Sequence, residues 1–293
     1  RGGLAVMAGI LGATAPITPE EQKSEIRLVY THDIAGLAGA WETYVRYRSF
    51  ADPEVHWYPQ YFLLGRFHAP FGLMTDEHRT YTKMQSLSDW NTRLEGGGLI
   101  SGDPFESFHY DLALVNGEDY GSTLGNGQAT LWGGILNLRW TPQHLPFVAG
   151  ISGRYHDQVQ GQKSPWATSV YGILPLERAF NNWLRGSLSF EYVRARYLNN
   201  SLTGFISDTT YQTAVQKAES EGVLVAVDWQ FNDNHILQYK FDRLVLARNF
   251  PGDFYERHGL GIKRFLAANT LAMIRFHRIF ELSTESERRF FDE

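Results

Sequence analysis

The chain of 293 residues contains no cysteine, and this absence excludes several classes of protein at once. Disulfide frameworks, cysteine-based zinc sites, thiol catalysis and covalent c-type haem attachment all require that residue. A long apolar run is also missing, because the one candidate for it, the uncharged stretch from Gly2 to Pro19, carries two prolines near its end. A membrane-spanning helix needs about 20 mostly apolar residues. The sequence therefore predicts neither a disulfide scaffold nor a helical membrane protein.

The chain also lacks an excess of positive charge, since 27 basic residues stand against 32 acidic ones for a net charge of −5. No overall basic field attracts nucleic acid, so we expect no nucleic-acid partner. Aromatic residues are abundant, at 14% of the chain, while charged residues still make up 20%. This combination favours a sheet with one apolar and one hydrated face.

The first 19 residues allow two interpretations. Residues 4–13 are apolar and precede Ala-Thr-Ala, as in the remnant of a secretory signal. The same stretch also fits a glycine-interrupted strand over 4–12. Both interpretations are compatible with export.

From residue 24 onward the dominant hydrophobic period is two, which is typical of strands with unlike faces. Leu112 and Leu114, for example, alternate with Asp111, Ala113 and Val115. This pattern predicts strands over 24–32, 37–50, 57–68, 92–101, 106–116, 128–141, 146–156, 165–175, 183–197, 221–231, 235–247, 254–265 and 269–281, or one more with 4–12.

The predicted connections differ in length at the two ends of the strands. Long connections at 69–91, 117–127 and 198–220 alternate with tight turns such as 102–105 and 232–234. Transmembrane barrels of bacteria have short periplasmic turns, longer extracellular loops and strands of about 10 residues. The sequence therefore predicts an all-β, transmembrane antiparallel β-barrel of about 14 strands, with 16 as the alternative, in a single domain over 1–293.

A soluble β-sandwich or lipocalin-like barrel would also show alternation. Two arguments favour the membrane barrel: 14 strands enclose a lumen too wide for side chains to fill, and aromatic residues collect near the predicted tight turns. We predict that they form an interfacial girdle; its members are Trp57, Trp140, Phe147, Trp183, Trp229 and Phe231.

Two short segments resemble a known family. The stretch Leu63-Leu64-Gly65-Arg66-Phe67-His68-Ala69-Pro70-Phe71-Gly72 is similar to one in Gram-negative outer-membrane porins, particularly the phosphate-selective porin family and its relatives, where it ends a strand before a long loop. The stretch from Tyr110 to Gly117 resembles a strand-to-loop pattern of the same group. The resemblance implies a location in the outer membrane and a channel function.

If the apolar faces point to lipid, the opposite faces line a lumen with more basic than acidic residues. The predicted pore-lining residues are Arg46, Arg48, Arg66, His68, Arg93, Glu95, His109, Asp111, Arg139, Arg154, Arg185, Glu191, Lys240, Asp242 and Arg275. Two interpretations stay open: the charges pair across the barrel wall, or an excess near Arg46, Arg48, Arg66 and Arg93 gives a mild anion preference. The loop 69–91 either folds into the lumen as a constriction or forms a surface flap.

Nothing in the sequence indicates an enzyme or a bound cofactor. The histidines lack metal-ligand spacing, and no G-x-S-x-G elbow is present. The predicted function is a porin, a water-filled channel for passive diffusion of small solutes. The alternative is a barrel that encloses a partner such as a multihaem cytochrome. We expect lipid, small hydrophilic solutes and a second copy or an associated outer-membrane protein as partners.

The topology also predicts an incomplete barrel. If the tight turns are periplasmic, strand 269–281 runs outward, whereas complete barrels normally end in the periplasm. We therefore expect a closing strand after residue 293 and further sequence before Arg1, or a strand count that is off by one within 69–91 or 198–220.

Overall fold

The structure, a computed structural model, describes residues 10–16, 24–33, 40–49, 59–73, 80, 82, 94–116, 132–157, 164–180, 183–196, 209–210, 213–214, 218–248, 254–267 and 270–281. These residues form fourteen strands that lie in one sheet in the order in which they occur along the chain. The strands are β1(Ile10–Pro16), β2(Ser24–Asp33), β3(Ala40–Ser49), β4(Tyr61–His68), β5(Leu94–Phe105), β6(Phe108–Val115), β7(Gly133–Trp140), β8(Val148–His156), β9(Trp166–Pro175), β10(Arg185–Arg196), β11(Glu219–Asn232), β12(His235–Val245), β13(Phe254–Ala267) and β14(Thr270–Glu281).

Each predicted stretch contains or overlaps one strand, and the prediction of about 14 strands is confirmed. The largest displacement is at β1, predicted over 4–12 and found at Ile10–Pro16. A short helix α1(Leu176–Ala179) lies in the connection after β9 and was not predicted. Pro175, with φ of −63°, precedes its first residue, a value suited to the start of a helix. Among the described residues, no helix is long and apolar enough to cross a membrane.

The chain divides into two compact units, each described here by itself. Unit 1 comprises residues 1–71, 88–138 and 154–164, and unit 2 comprises 72–87, 139–153 and 165–293. In unit 1, β1 to β6 pair antiparallel with their neighbours, and β5 and β6 are joined by the tight turn 106–107. In unit 2, β9 to β14 pair in the same way, with a tight turn at 233–234, and Ala267 at the end of β13 pairs with Thr270 at the start of β14.

Most strands whose side chains are described have an exposed face rich in large apolar residues, here called the apolar face, and an opposite face that holds most of the buried charged residues, here called the polar face. Leu112 and Leu114 are 48% and 59% exposed, whereas Ala113 and Val115 between them are buried. In unit 2, Leu188 and Phe190 are exposed while Glu191 is fully buried. A soluble sandwich would bury the large apolar side chains and expose the charges. The arrangement therefore contradicts the soluble alternative and fits a sheet whose apolar face contacts lipid.

Exposed aromatic residues lie near the tight turns of unit 2, as predicted for an interfacial girdle. Trp183 is 85% exposed, and the rings of Trp229 and Phe231 lie with centroids 6.0 Å apart. Trp140 and Phe147 meet edge to face, with centroids 5.3 Å apart. Trp57 lies outside the described residues. These amphipathic rings suit the boundary between hydrocarbon and water.

Candidate pore-lining site

The polar face carries most of the residues predicted to line the pore. Strand alternation, anchored on the buried residues Glu95, Arg154, Glu191 and Asp242, assigns the predicted residues to it. In unit 1 these are Arg46, Arg48, Glu95, His109, Asp111 and Arg154; in unit 2 they are Arg139, Arg185, Glu191, Lys240, Asp242 and Arg275.

For three of the predicted pore-lining residues, alternation along the strands does not give a position on the polar face. Arg66 lies opposite Thr43 and Gly96 and shares the alternation of Phe62 and Leu64, which belong to the apolar face. His68 has the same alternation and lies 3.8 Å from Glu42. Both residues come just before the long connection 69–93, and their assignment to a pore stays a prediction. Arg93 lies outside the described residues.

Arginines face each other across the polar face of β2 and β3. Arg27 lies directly opposite Arg46, and Arg48 lies opposite Glu25. On its other side Arg48 lies opposite Tyr61, with its guanidinium carbon 5.4 Å from the ring centroid. Like charges directly opposite each other on one face repel.

His109 forms the centre of a second polar cluster in unit 1. Its Nδ1 lies 2.6 Å from Asp103 Oδ1, and its Nε2 lies 3.2 Å from Asp111 Oδ1 and 3.3 Å from Ser101 Oγ. The side-chain amide of Asn137 donates to Asp111 at 3.0 Å. A carboxylate can only accept, so both ring nitrogens donate when both contacts form. Nε2 then has no lone pair with which to take a proton from Ser101, and the set does not work as a hydrolase triad.

A buried ion pair joins β5 to β8 in unit 1. Arg154 donates from Nη2 to Glu95 Oε1 and from Nε to His156 Nε2, the latter at 2.8 Å. All three side chains are 2% exposed or less. Gly133 makes room for this group, because a Cβ at that position would overlap the ring of His156. The guanidinium thus neutralises a carboxylate that water does not reach.

In unit 2, Glu191 holds part of the loop predicted over 69–91. The backbone N–H of Leu73 and the hydroxyl of Ser169 donate to Oε1 of Glu191, and the hydroxyl of Thr82 donates to Oε2, each at 2.9 Å. Thr80 and Thr82 are fully buried, and their hydroxyl oxygens lie 3.3 Å apart. Residues 72, 73, 80 and 82, which we call the inner segment, therefore lie against the polar face.

Two features position the inner segment. Gly72 has φ of 64°, a left-handed conformation that favours glycine, and its N–H donates to Ser152 Oγ at 2.9 Å. The side chain of Leu73 packs with Tyr171 and Leu224, which are also buried. The glycine that closes the Ala69-Pro70-Phe71-Gly72 sequence thus turns the chain toward β8 and β10. For the described residues 72, 73, 80 and 82, the inward interpretation is the one observed.

Charges of both signs alternate on the polar face of β11 to β14. Arg257 donates to Asp242 at 2.6 Å, and Lys263 Nζ lies 3.7 Å from Asp228 Oδ2. Arg275 donates to Gln238. Gly261 lies opposite Arg275, and a Cβ there would be 3.2 Å from Arg275 Cγ. Pairing across the wall, one of the two interpretations left open by the sequence, describes these residues.

No pattern in the sequence distinguishes the hydroxyl residues that surround Glu191. Thr80, Thr82, Ser152 and Ser169 are common residue types in no recognisable spacing, and two of them lie in a long connection. The one usable signal was a glutamate in a strand otherwise rich in neutral residues.

Among the described residues, no group of three or more acidic or histidine side chains is arranged to hold a metal ion.

No protein-family model and no curated protein sequence matches the chain. Solved structures do match. The outer-membrane channel DcaP of Acinetobacter baumannii aligns over 92% of this chain and 78% of its own, with a TM-score of 0.64 and 10% identity. An anion-selective porin from Comamonas acidovorans aligns over 93% and 79%, with a TM-score of 0.61 and 10% identity. A porin refined at 1.8 Å resolution aligns over 92% and 86%, with a TM-score of 0.55 and 10% identity.

At this level of identity the likeness concerns the fold. It agrees with the antiparallel strand order, the exposed apolar face and the aromatic residues near the tight turns. The predicted resemblance and the predicted fold class are confirmed by these matches. The chain has the fold of Gram-negative outer-membrane β-barrel porins.

Proposed function

We propose that this chain forms a passive, water-filled channel for small hydrophilic solutes in the outer membrane, with a mild preference for anions and no catalytic role. The observation that carries the proposal is the inner segment, held against the polar face by Glu191, Ser152 and a buried leucine. A chain segment on the polar face of a wide barrel narrows the water-filled path. Such a constriction is how a pore limits the size of its solutes.

The same observation favours a channel over a sheath for a partner protein. A sheath needs a wide lumen lined with small or neutral residues. Here the polar face of unit 2 instead holds Leu73, Thr80 and Thr82 from the chain itself, together with the charged residues Asp242 and Arg257. The space that a partner would fill is partly taken by the inner segment.

Two observations support the anion preference. In unit 1, Arg27 and Arg46 are directly opposed on the polar face, and Arg48 follows two residues later. One structural neighbour, the porin from Comamonas acidovorans, is described as anion-selective. Guanidinium groups stay charged at every usable pH and bind phosphate or carboxylate well. On the polar face of unit 2, most basic residues contact acidic or amide partners. Because these contacts reduce the attraction for anions, the expected anion preference is mild.

The test is electrical. Purified, folded protein added to planar phosphatidylcholine bilayers should give stepwise ionic currents. In a salt gradient the reversal potential should have the sign of anion preference. Folded protein that inserts without producing steps would overturn the channel proposal.

The anion preference has its own variant and control. Replacing Arg46 and Arg48 by glutamine should move the reversal potential toward cations. Arg264→Gln, an exposed residue on the apolar face of β13, removes the same kind of charge away from the polar face and should leave the potential unchanged. An equal shift in both variants would mean that the arginines of β3 do not act on ions in the pore.

A further inference from the structure

A cluster of charged residues interrupts the apolar face of unit 2 at the end where the connections 197–218 and 246–253 lie. It consists of Arg194, Arg196, Arg243 and Arg248 with Glu219 and Glu221, and we call it the arginine rim. The turn 233–234 and the pair Ala267–Thr270, which joins β13 to β14, are at the opposite end of the same strands. Charged residues are costly in hydrocarbon, so those on the apolar face must contact either water at the edge of the membrane or a charged ligand.

The change from apolar to charged occurs at nearly the same level on three neighbouring strands, one step of the alternation earlier on β12 than on β10 and β11. Along β11 the apolar face carries Val223, Val225, Val227, Trp229 and Phe231, and the next residues with the same alternation are Glu221 and Glu219. The register aligns Val223 with Tyr192 of β10 and with Arg243 of β12. From Val223 to Phe231 the strand covers about 27 Å, or about 20 Å of depth at a tilt of about 40°, close to the apolar band of about 25 Å in transmembrane barrels.

The guanidinium groups of the rim are held by aromatic rings and by the two glutamates. Arg196 donates to Glu219 at 2.9 Å, Arg194 donates to the same carboxylate, and Arg248 Nε lies 2.5 Å from Glu221. The guanidinium carbons of Arg194 and Arg196 each lie 5.7 Å from the ring centroid of Trp166. That of Arg243 lies 4.5 Å from the centroid of Phe254. Rings and carboxylates thus fix the arginines in place before any ligand arrives.

The rim has more positive than negative charge. Four guanidinium groups face the two carboxylates of Glu219 and Glu221. Glu256 of β13 lies opposite Arg243 in the register but pairs with His258, and no carboxylate among the described residues lies within ion-pair distance of Arg243. The side chain of Arg248 is 45% exposed and that of Arg194 is 37% exposed. An excess of accessible arginine at the edge of an apolar band complements an anionic lipid headgroup.

We propose that the arginine rim binds the phosphate groups of anionic lipid in the outer leaflet. The planar guanidinium donates two parallel hydrogen bonds to phosphate, which a zwitterionic headgroup with a blocked phosphodiester accepts less well. The acyl chains of the same lipid would lie along Val223, Val225 and Phe190 of the apolar face. This inference rests on the outer-membrane location given under the proposed function, and it adds a site on the opposite face of the sheet.

The experiment uses the full chain purified in detergent. Native mass spectrometry measures how much diphosphoryl lipid A the protein retains, compared with phosphatidylcholine at the same concentration. We expect retention of the phosphorylated lipid to be about tenfold higher, and the variant Arg243→Gln with Arg248→Gln to reduce it severalfold. Arg264→Gln, at the tight-turn end of the same apolar face, is the matched control and should retain lipid like the unmodified chain.

A second variant separates lipid binding from a merely structural role. Replacing Glu219 and Glu221 by glutamine frees the guanidinium groups and should increase retention of lipid A, whereas arginines that serve only to pair with these glutamates would give no increase. Inorganic phosphate in millimolar excess should not displace the lipid; displacement would indicate a site for free phosphate and would overturn the proposal. Equal retention by all variants would overturn it as well.

Currents in phosphatidylcholine bilayers tell this proposal apart from the channel proposal. Channel steps with no preference for lipid A would reject the rim alone. A preference for lipid A that follows the variants, with no channel steps, would reject the channel alone. Each variant is first checked for folding by its resistance to unfolding in detergent on unheated electrophoresis.

Discussion

Two fully buried glutamates on the polar face, one in each unit, are stabilised in different ways. Glu95 in unit 1 pairs with the guanidinium of Arg154, and its second oxygen has no hydrogen-bond partner among the described residues. Among the described residues, Glu191 in unit 2 accepts hydrogen bonds on both oxygens from neutral donors, a backbone N–H and two hydroxyls. Both are 0% exposed. The two glutamates are therefore equally buried and differ in the groups that donate hydrogen bonds to them.

The difference follows from what each glutamate holds. The partner of Glu95 lies on another strand of the wall, so the ion pair joins regular elements. Two of the donors to Glu191 belong to the inner segment, which lies outside the fourteen strands. Neutral donors to both oxygens allow Glu191 to hold a segment that lies outside the strands. The single cation beside Glu95 instead links two strands of the sheet.

The largest effect should come from breaking the ion pair on one side only. Arg154→Met leaves Glu95 buried without its cation, and we expect a loss of about 3–5 kcal/mol in the free energy of unfolding. Urea unfolding of the protein in lipid vesicles or detergent measures this loss.

The matched control removes both charges. Arg154→Met combined with Glu95→Gln leaves no uncompensated charge in unit 1, so a large part of the stability should return. If the double variant is as unstable as Arg154→Met, the cost comes from lost packing around His156 and not from the buried charge.

The second effect concerns Glu191. It should be smaller than the loss at Arg154, because the donors described for Glu191 are neutral groups. Glu191→Gln keeps the shape but turns one accepting oxygen into a donating amide, which then faces a hydroxyl or the N–H of Leu73. We expect a loss of about 1–3 kcal/mol in the free energy of unfolding. The inner segment should also loosen, which raises the single-channel conductance.

The conductance separates the two glutamates functionally. The wall variant Arg154→Met should lower the free energy of unfolding and leave the conductance nearly as it was. Glu191→Gln should change the conductance with a modest loss of stability. An unchanged conductance in Glu191→Gln would mean that the inner segment does not limit the ion path.

The strands were predictable because one local rule produces them. Lipid on one side and water on the other require alternation, so Leu112, Leu114, Leu188 and Phe190 are visible in the sequence as a period of two. The same rule placed Glu95, Arg154 and Glu191 on the polar face. At Arg66 and His68, which precede a long connection, alternation places the residues with Phe62 and Leu64 of the apolar face, so their assignment to a pore stays a prediction.

The position of the inner segment could not be predicted, because its residues contact residues far away in the sequence and no sequence pattern marks those contacts. Leu73 and Glu191 are 118 positions apart, and their hydrogen bond uses a backbone N–H, which every residue but proline possesses. The sequence therefore left two interpretations of 69–91 open. Only the register of β8 to β10 decides which side chains meet residues 72, 73, 80 and 82.

A third and smaller effect tests a single donor of the inner segment. Thr82→Val keeps the shape and removes the hydroxyl that donates to Oε2 of Glu191, so we expect a loss of about 1 kcal/mol in the free energy of unfolding. Urea unfolding of the single variants and of the combination with Glu191→Gln measures the coupling. Because Thr82 and Glu191 share one hydrogen bond, the combined loss should be smaller than the sum; additive losses would mean that the bond contributes nothing.

The smallest effect is expected at an exposed ion pair of unit 2, which completes the series from buried to hydrated carboxylates. Arg185 Nη1 lies 2.6 Å from Asp233 Oδ1, but the two side chains are 56% and 86% exposed. Water solvates both charges well, so the attraction is screened and the ordering of a long side chain offsets much of it. Asp233→Asn should change the free energy of unfolding by less than about 0.5 kcal/mol, and the difference should vanish in high salt. Urea unfolding at low and high ionic strength checks both points, with Arg154→Met measured alongside. A loss at Asp233 comparable to that at Arg154 would show that burial is not what makes the carboxylate of Glu95 depend on its cation.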